Sequence, residues 1–248
     1  MRRFPLTLIY LGRSDLARCD VSASGKPLGS WRRPRPTGAE LPTLIDVALR
    51  LGNRRPGRVW VLSDEFWTQK LRVPCDMLLG LSAEDAKRAL AFEAENFSGQ
   101  SAIDSMLDYV SLDDTGEANE YWVIQIPHWL RDQVEEVVRN SNAQLGGMIH
   151  PSGLPSPIRP EMQGETWYRV EAWGGFLMGV GVDASATCRR IMTGKDARSM
   201  TSIERWCERF AESRGEDLIE GGPTTRAVAG RTTLELRDEG TLSTWLEA

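Results

Sequence analysis

Two stretches of this chain open in the same way, and a segment rich in proline lies between them. In the first, Leu6 to Leu11 reads as a strand and Gly12-Arg13-Ser14-Asp15 as a turn. Leu16 to Ser22 is then a second strand and Gly25-Lys26 a second turn, so the chain starts as a meander. In the second stretch, Thr166 to Trp173, Phe176 to Val182 and Thr187 to Met192 read as three successive strands. Between them, residues 151 to 164 hold Pro151, Pro155, Pro157 and Pro160 together with Gly153 and Gly164, the composition of a joint. Each opening passes on to helical patterns. A meander followed by helices, occurring twice, points to an α/β protein of two related lobes. The first is placed at 1–150, the joint at 151–164, and a second, shorter lobe at 165–248.

Within the first lobe, Arg32, Arg33 and Arg35 alternate with Pro34 and Pro36 and read as a solvated loop. Leu41, Leu44, Ile45, Ala48 and Leu51 then fall at helical spacing. Val59 to Leu62 is a buried strand, followed by another from Phe66 to Val73. Ser82 with Asp85 three residues on is a capping box, and Ala83, Ala86, Leu90, Ala94 and Phe97 line one side of its helix. Met106 to Leu112 and Tyr121 to Ile126 are strands, and Pro127 starts a helix striped with Leu130, Val134, Val137 and Val138. Gly146-Gly147 ends that segment, and Met148-Ile149 is a short strand. In the second lobe, Thr201 and Glu204 open a helix, Asp217 to Ile219 leads to Gly221-Gly222, and Thr232 to Leu236 is a strand.

Composition narrows the function classes. Acids outnumber bases 35 to 30, so a general cationic surface for nucleic acid is not expected. The charge is uneven, however. Residues 1–60 carry twelve bases against four acids, and residues 61–128 carry four bases against thirteen acids. Such polarity suits docking on an acidic partner or anionic lipid, with Arg32, Arg33 and Arg35 the densest basic cluster. Cys19, Cys75, Cys188 and Cys207 are scattered without a C-x-x-C pair, so neither a zinc site nor a disulfide framework is expected. No apolar run is long enough to span a bilayer, and a cytoplasmic location is the expectation.

Catalytic residue types are scarce. His128 and His150 are the two histidines, and both read as surface or capping residues. Asp64-Glu65 and Asp113-Asp114 border strands and read as solvated turn acids. Neither a G-x-x-x-x-G-K-[ST] nor a G-x-G-x-x-G loop occurs. Trp60, Trp122 and Trp206 sit in apolar register and read as core residues rather than as a base-stacking platform.

One stretch carries a family resemblance. It comprises Val61-Leu62-Ser63, Lys70-Leu71-Arg72-Val73-Pro74, Leu81-Ser82-Ala83-Glu84-Asp85, Ala89-Leu90-Ala91-Phe92-Glu93-Ala94-Glu95 and Leu107-Asp108-Tyr109-Val110. This resembles the PilM and GspL group, the actin-like cytoplasmic proteins of type IV pilus and type II secretion assembly platforms. The resemblance implies the actin-like (RNase H-like) two-lobed fold. It also implies where a nucleotide cleft would lie: Gly12 and Ser14 after the first strand, Glu171, Gly174 and Gly175 in the second lobe, and Gly221 and Gly222 on the adenosine side.

Against the ATP-binding members of that fold, the cleft is degenerate. Their lobes begin with a strand ending D-x-G, but Ile9-Tyr10-Leu11-Gly12 carries no acid. At the second position Glu171 stands for the aspartate, and Trp173 stands where the glycine should be. The resemblance thus implies a scaffold or adaptor without catalysis or a bound ATP cofactor. Its implied partners are a pilus or secretion assembly ATPase and an inner-membrane platform protein, met at the inner face of the inner membrane, and a homodimer is left open. The alternative is an ATPase or sugar-kinase-like enzyme of the same fold. GspL-like chains continue into a transmembrane helix and PilM-like chains recruit a separate membrane partner; this sequence shows neither continuation.

Overall fold

The central strand of the first lobe, β1 (Leu6–Leu11), is an apolar hexapeptide in which Ile9, Tyr10 and Leu11 are all buried. Burial on consecutive residues means both faces of this strand are covered, so it lies inside a sheet. That sheet has the order β3-β2-β1-β4-β8. It comprises β2 (Asp15–Val21), β3 (Pro27–Pro34), β4 (Arg58–Ser63) and β8 (Gln144–Ile149). β2 and β3 run antiparallel outward from β1, whereas β4 and then β8 run parallel to it on the other side. The computed structural model describes residues 6–13, 15–23, 27–52, 54–114 and 118–153, with five further strands beyond them. The chain divides into two compact units at Leu154/Pro155.

Helix α1 (Leu41–Arg50) follows β3 and buries Leu41, Leu44, Ile45, Ala48 and Leu49; Leu51, which the sequence spacing adds to this face, stands at the C-terminal cap and is exposed. It packs on β1 and β2 and against α3 (His128–Asn140), which buries Val134 and Val138. Between β4 and α3 the chain builds a smaller layer. Strands β5 (Trp67–Pro74), β6 (Ser105–Asp114) and β7 (Ala118–Pro127) form a three-stranded antiparallel sheet with β7 in the middle. Helix α2 (Ala83–Ser98) lies on this sheet, and Leu90, Ala91 and Ala94 pack with Leu71, Val73, Leu107, Tyr121 and Val123. The Ser82 cap forms, since the Asp85 N–H donates to Ser82 Oγ at 3.1 Å, but the Asp85 carboxylate answers by accepting from the Ser82 hydroxyl at 2.6 Å; Gly99 closes the helix at φ 66°.

Three expectations need correction. Arg32, Arg33 and Pro34, read as part of a solvated loop, belong to the strand Pro27–Pro34, while Arg35 and Pro36 follow it; β3 is an edge strand and places its prolines at its two ends, where a missing N–H is tolerated. Phe97, placed on the packed side of α2, is 65% exposed, and Ala83 is exposed as well. Gly146 and Gly147 do not end a segment but lie within β8. A Cβ on Gly146 would stand 2.5 Å from Trp60 Nε1, and one on Gly147 2.6 Å from the Trp60 ring. The two glycines let an indole on the adjacent strand lie flat against the β8 backbone. Trp122 is buried as expected, Trp60 is half-buried, and Trp206 lies outside the described residues.

The second unit has a sheet of order β11-β10-β9-β13-β12. Its strands are β9 (Trp167–Trp173), β10 (Phe176–Val182), β11 (Cys188–Gly194), β12 (Arg226–Ala229) and β13 (Thr232–Asp238). As in the first unit, the opening strand is flanked by an antiparallel neighbour, β10, and a parallel one, β13. The units differ at the outer edge, where β12 forms an antiparallel hairpin with β13. The helix and short strand expected over 201–219 lie outside the described residues.

Candidate functional site

The parallel strands β1 and β4 release the chain side by side, at Gly12 and Asp64. Ser63 ties the two ends together: its hydroxyl donates to the Leu11 carbonyl at 2.9 Å and accepts from the Glu65 N–H at 3.2 Å. The turn after β1 is closed on itself, because the Gly12 N–H donates to the Asp15 carbonyl at 2.8 Å. The Tyr10 side chain packs against Gly12, where a Cβ would stand 2.5 Å from its hydroxyl and could be admitted only if the ring moved. The Gly12 carbonyl accepts from Arg35 Nη1 at 3.0 Å. The same guanidinium holds Glu65 Oε1 at 2.6 Å and donates to the Ala39 carbonyl at 3.3 Å.

Beside this clamp lies Asp64, only 4% exposed, with neither carboxylate oxygen in a hydrogen bond of normal geometry. Burial pushes its carboxyl up to about 7; the charges of Arg13 and Arg35 and the Arg13 N–H oppose the shift, and Glu65 adds to it. The expectation of a solvated turn acid is therefore corrected for Asp64. Its turn folds the side chain inward rather than out into water. Such a carboxyl can take up or release a proton near neutrality.

The arginine cluster also proves to be engaged within the lobe. Arg32 pairs with Asp15 at 2.9 Å, Arg33 lies over the Trp31 ring at 5.7 Å, and Arg35 is the clamp just described. Of the cleft positions, Gly12 is placed as above and Glu171 is a backbone position of β9, opposite Met178 and Arg237. Ser14, Gly174, Gly175, Gly221 and Gly222 lie outside the described residues.

A second polar cluster surrounds His150, which is buried rather than at the surface. Trp122 Nε1 donates to Ser152 Oγ at 2.7 Å, and Ser152 Oγ meets His150 Nδ1 at 2.6 Å. The Ser152 N–H also donates to Nδ1, at 3.1 Å. With Nδ1 accepting, the ring proton is assigned to Nε2. Desolvation lowers the imidazole to about 3, which makes it a poor general base and a good fixed acceptor. The cluster fastens β7 to the turn at Pro151–Gly153. Among the described residues no three His, Cys, Asp or Glu side chains converge as a metal site would need, and no helix is long and apolar enough to cross a membrane.

No family model matches the sequence, and no curated protein matches it. Solved structures do. A structure described as the PilM–PilN type IV pilus biogenesis complex aligns with a TM-score of 0.57 at 14% identity, over 85% of this chain and 67% of that one. The cytoplasmic domain of EpsL, an inner-membrane component of the type II secretion system of Vibrio cholerae, also aligns with a TM-score of 0.57. Its identity is 15%, over 98% of this chain and 93% of that domain. A Bacteroides thetaiotaomicron protein with an actin-like ATPase fold aligns at 0.51, with 10% identity over 86% and 78% of the two chains. The repeated meander, the strand order of the first sheet and these alignments agree: the chain has a two-lobed actin-like fold, shared with the PilM–PilN structure and with the cytoplasmic domain of EpsL.

Proposed function

We propose that this protein is a scaffold of a type IV pilus or type II secretion assembly machine, binding the assembly ATPase and an inner-membrane platform protein without catalysis of its own. The observation that carries this reading is the turn at Gly12. A phosphate-binding turn offers free backbone amides and leaves room for an anion. Here the Gly12 amide is spent on Asp15, the space beside its Cα holds the Tyr10 ring, and its carbonyl is clamped by Arg35. Trp173 in the second lobe, where nucleotide-binding relatives would carry glycine, points the same way. In this reading the actin-like fold is kept as a rigid support at the inner face of the inner membrane.

Titration calorimetry with Mg-ATP and pull-down with the two partner proteins test it together. The expected result is no heat of nucleotide binding and retention of both partners; ATP turnover, or loss of both partners, overturns it. A second reading has one observation in its favour, the buried Asp64 carboxyl at the end of β4. In a phosphoryl-transfer enzyme of this fold it would serve as the proton acceptor. That reading requires ATP turnover that falls on Asp64→Asn and on Glu171→Ala.

A further inference from the structure

At the opposite end of β1 from Gly12, the first lobe presents a cationic pole. Residues 50–58 contain Arg50, Arg54, Arg55 and Arg58 and no acid. Two of these are engaged: Arg50 pairs with Asp46 at 2.9 Å, and Arg58 lies 6.0 Å over the Trp60 ring. Arg54 and Arg55 are exposed, and neither side chain has a partner among the described residues. Both line a cavity of about 290 Å³ together with Leu6, Thr7, Asp20 and Leu28. Its acid is already neutralised, since Asp20 accepts from Thr7 Oγ1 at 2.7 Å and pairs with Arg18 at 2.9 Å.

The loop carrying these arginines is held in place from inside. Arg18 is 1% exposed, and its Nη2 donates to the Arg54 carbonyl at 2.8 Å. Its Nη1 donates to the carbonyls of Ala48 and Leu49 at 3.2 and 2.9 Å, where α1 ends. One buried guanidinium thus fixes the backbone on which two exposed guanidiniums stand. Exposed cations on an anchored loop, beside a cavity with apolar residues in its lining, suit a ligand that brings phosphate and hydrocarbon together.

We propose that this pole docks directly on an anionic phospholipid bilayer, with a headgroup phosphate between Arg54 and Arg55 and glycerol-level hydrocarbon against Leu6 and Leu28. A purely acidic chain such as poly-glutamate would satisfy the charge but leave Leu6 and Leu28 without an apolar partner. The inference goes beyond the adaptor reading, because lipid is bound here without a membrane protein.

The test is flotation of the full chain with vesicles of phosphatidylglycerol and phosphatidylcholine in equal parts, against phosphatidylcholine alone. Binding is expected on the anionic vesicles only, and Arg54→Gln/Arg55→Gln should weaken it about thirtyfold, the effect of removing two surface arginines from an anionic interface. Arg88→Gln/Arg131→Gln, which removes the same charge from exposed positions of α2 and α3, should change it by less than about threefold. Thermal unfolding confirms that both variants fold. Equal binding by wild type and the Arg54/Arg55 variant, equal loss in the control variant, or binding to poly-glutamate in place of vesicles overturns the proposal. Because the vesicles contain no protein, failure here leaves the adaptor reading standing, and a failed pull-down leaves this one standing.

Discussion

Arg18 stands in the middle of β2 with 1% of its side chain exposed, and it bonds to Asp20 and to the carbonyls of Ala48, Leu49 and Arg54. A buried charge whose partners also have nowhere else to turn is costly to break. Arg18→Met should therefore lower unfolding free energy by about 3–5 kcal/mol, read from the urea midpoint. A loss below about 1 kcal/mol would mean that water replaces the guanidinium. Nothing in the sequence marks this arginine, because the room for its guanidinium is left by Gly52, where a Cβ would collide with it. The two residues are far apart in sequence and meet only in the fold. Arg35 shows the same gap. Arg35→Glu would set a carboxylate against Glu65 and remove the clamp on the Gly12 carbonyl, a cost that its place in a basic run does not reveal.

The residue scale also yields an opposed pair of titrations. Asp64 moves from 3.8 unfolded to about 7 folded, so the folded chain holds the extra proton between those values. Its contribution is complete below 3.8 and is lost as pH rises through about 7. His150 moves from 6.5 to about 3, so the unfolded chain takes its proton first and stability falls as pH drops through that interval. Between 3.8 and 6.5 the two slopes have opposite sign. Asp64→Asn should leave the His150 slope uncovered, and melting temperature should then fall on acidification more steeply than in wild type. His150→Gln should tilt the curve the other way. The change across the window is about 3 kcal/mol in each case, and three parallel curves would refute the assignment.

At the scale of elements, α2 was legible and β8 was not. The Ser82 cap and the apolar face of α2 rest on residues three and four apart, which a linear sequence displays. Ser82→Ala should destabilise the protein by about 1 kcal/mol, measured by thermal or chemical denaturation. β8 reads poorly because its two glycines answer to Trp60, on a strand more than eighty residues earlier. Gly147→Ala should lower stability by about 2 kcal/mol by overpacking, and Trp60→Leu should restore part of that loss in the double variant. Additive effects would show that the indole and the β8 backbone do not press on each other. β3 was hidden for a different reason: prolines at strand ends look like loop residues until the strand is known to be an edge.

For the molecule as a whole, the two-meander pattern was plain in the sequence, because strand and turn signals are local. The outer hairpin of the second sheet was not: β12 is four residues long and carries no periodic signal of its own. The candidate site was legible only in part. The missing acid on β1 can be read directly, but the burial of Asp64 and the Arg35 clamp depend on where β1 and β4 end beside each other. The first unit has its own complete core, from Ile9 through Val138. A fragment of residues 1–153 should accordingly unfold as one cooperative transition, followed by circular dichroism; a broad, non-cooperative melt would show that it depends on the rest of the chain.

The position of β8 also bears on how the chain is made. Its partner β4 leaves the ribosome early, whereas residues 144–149 emerge only after the whole β5–α3 insertion. Until then β4, with Val59, Val61 and Leu62, is a bare apolar sheet edge open to any neighbouring strand. The nascent chain therefore carries that unpaired edge over the whole interval, and β8 is the strand that closes it.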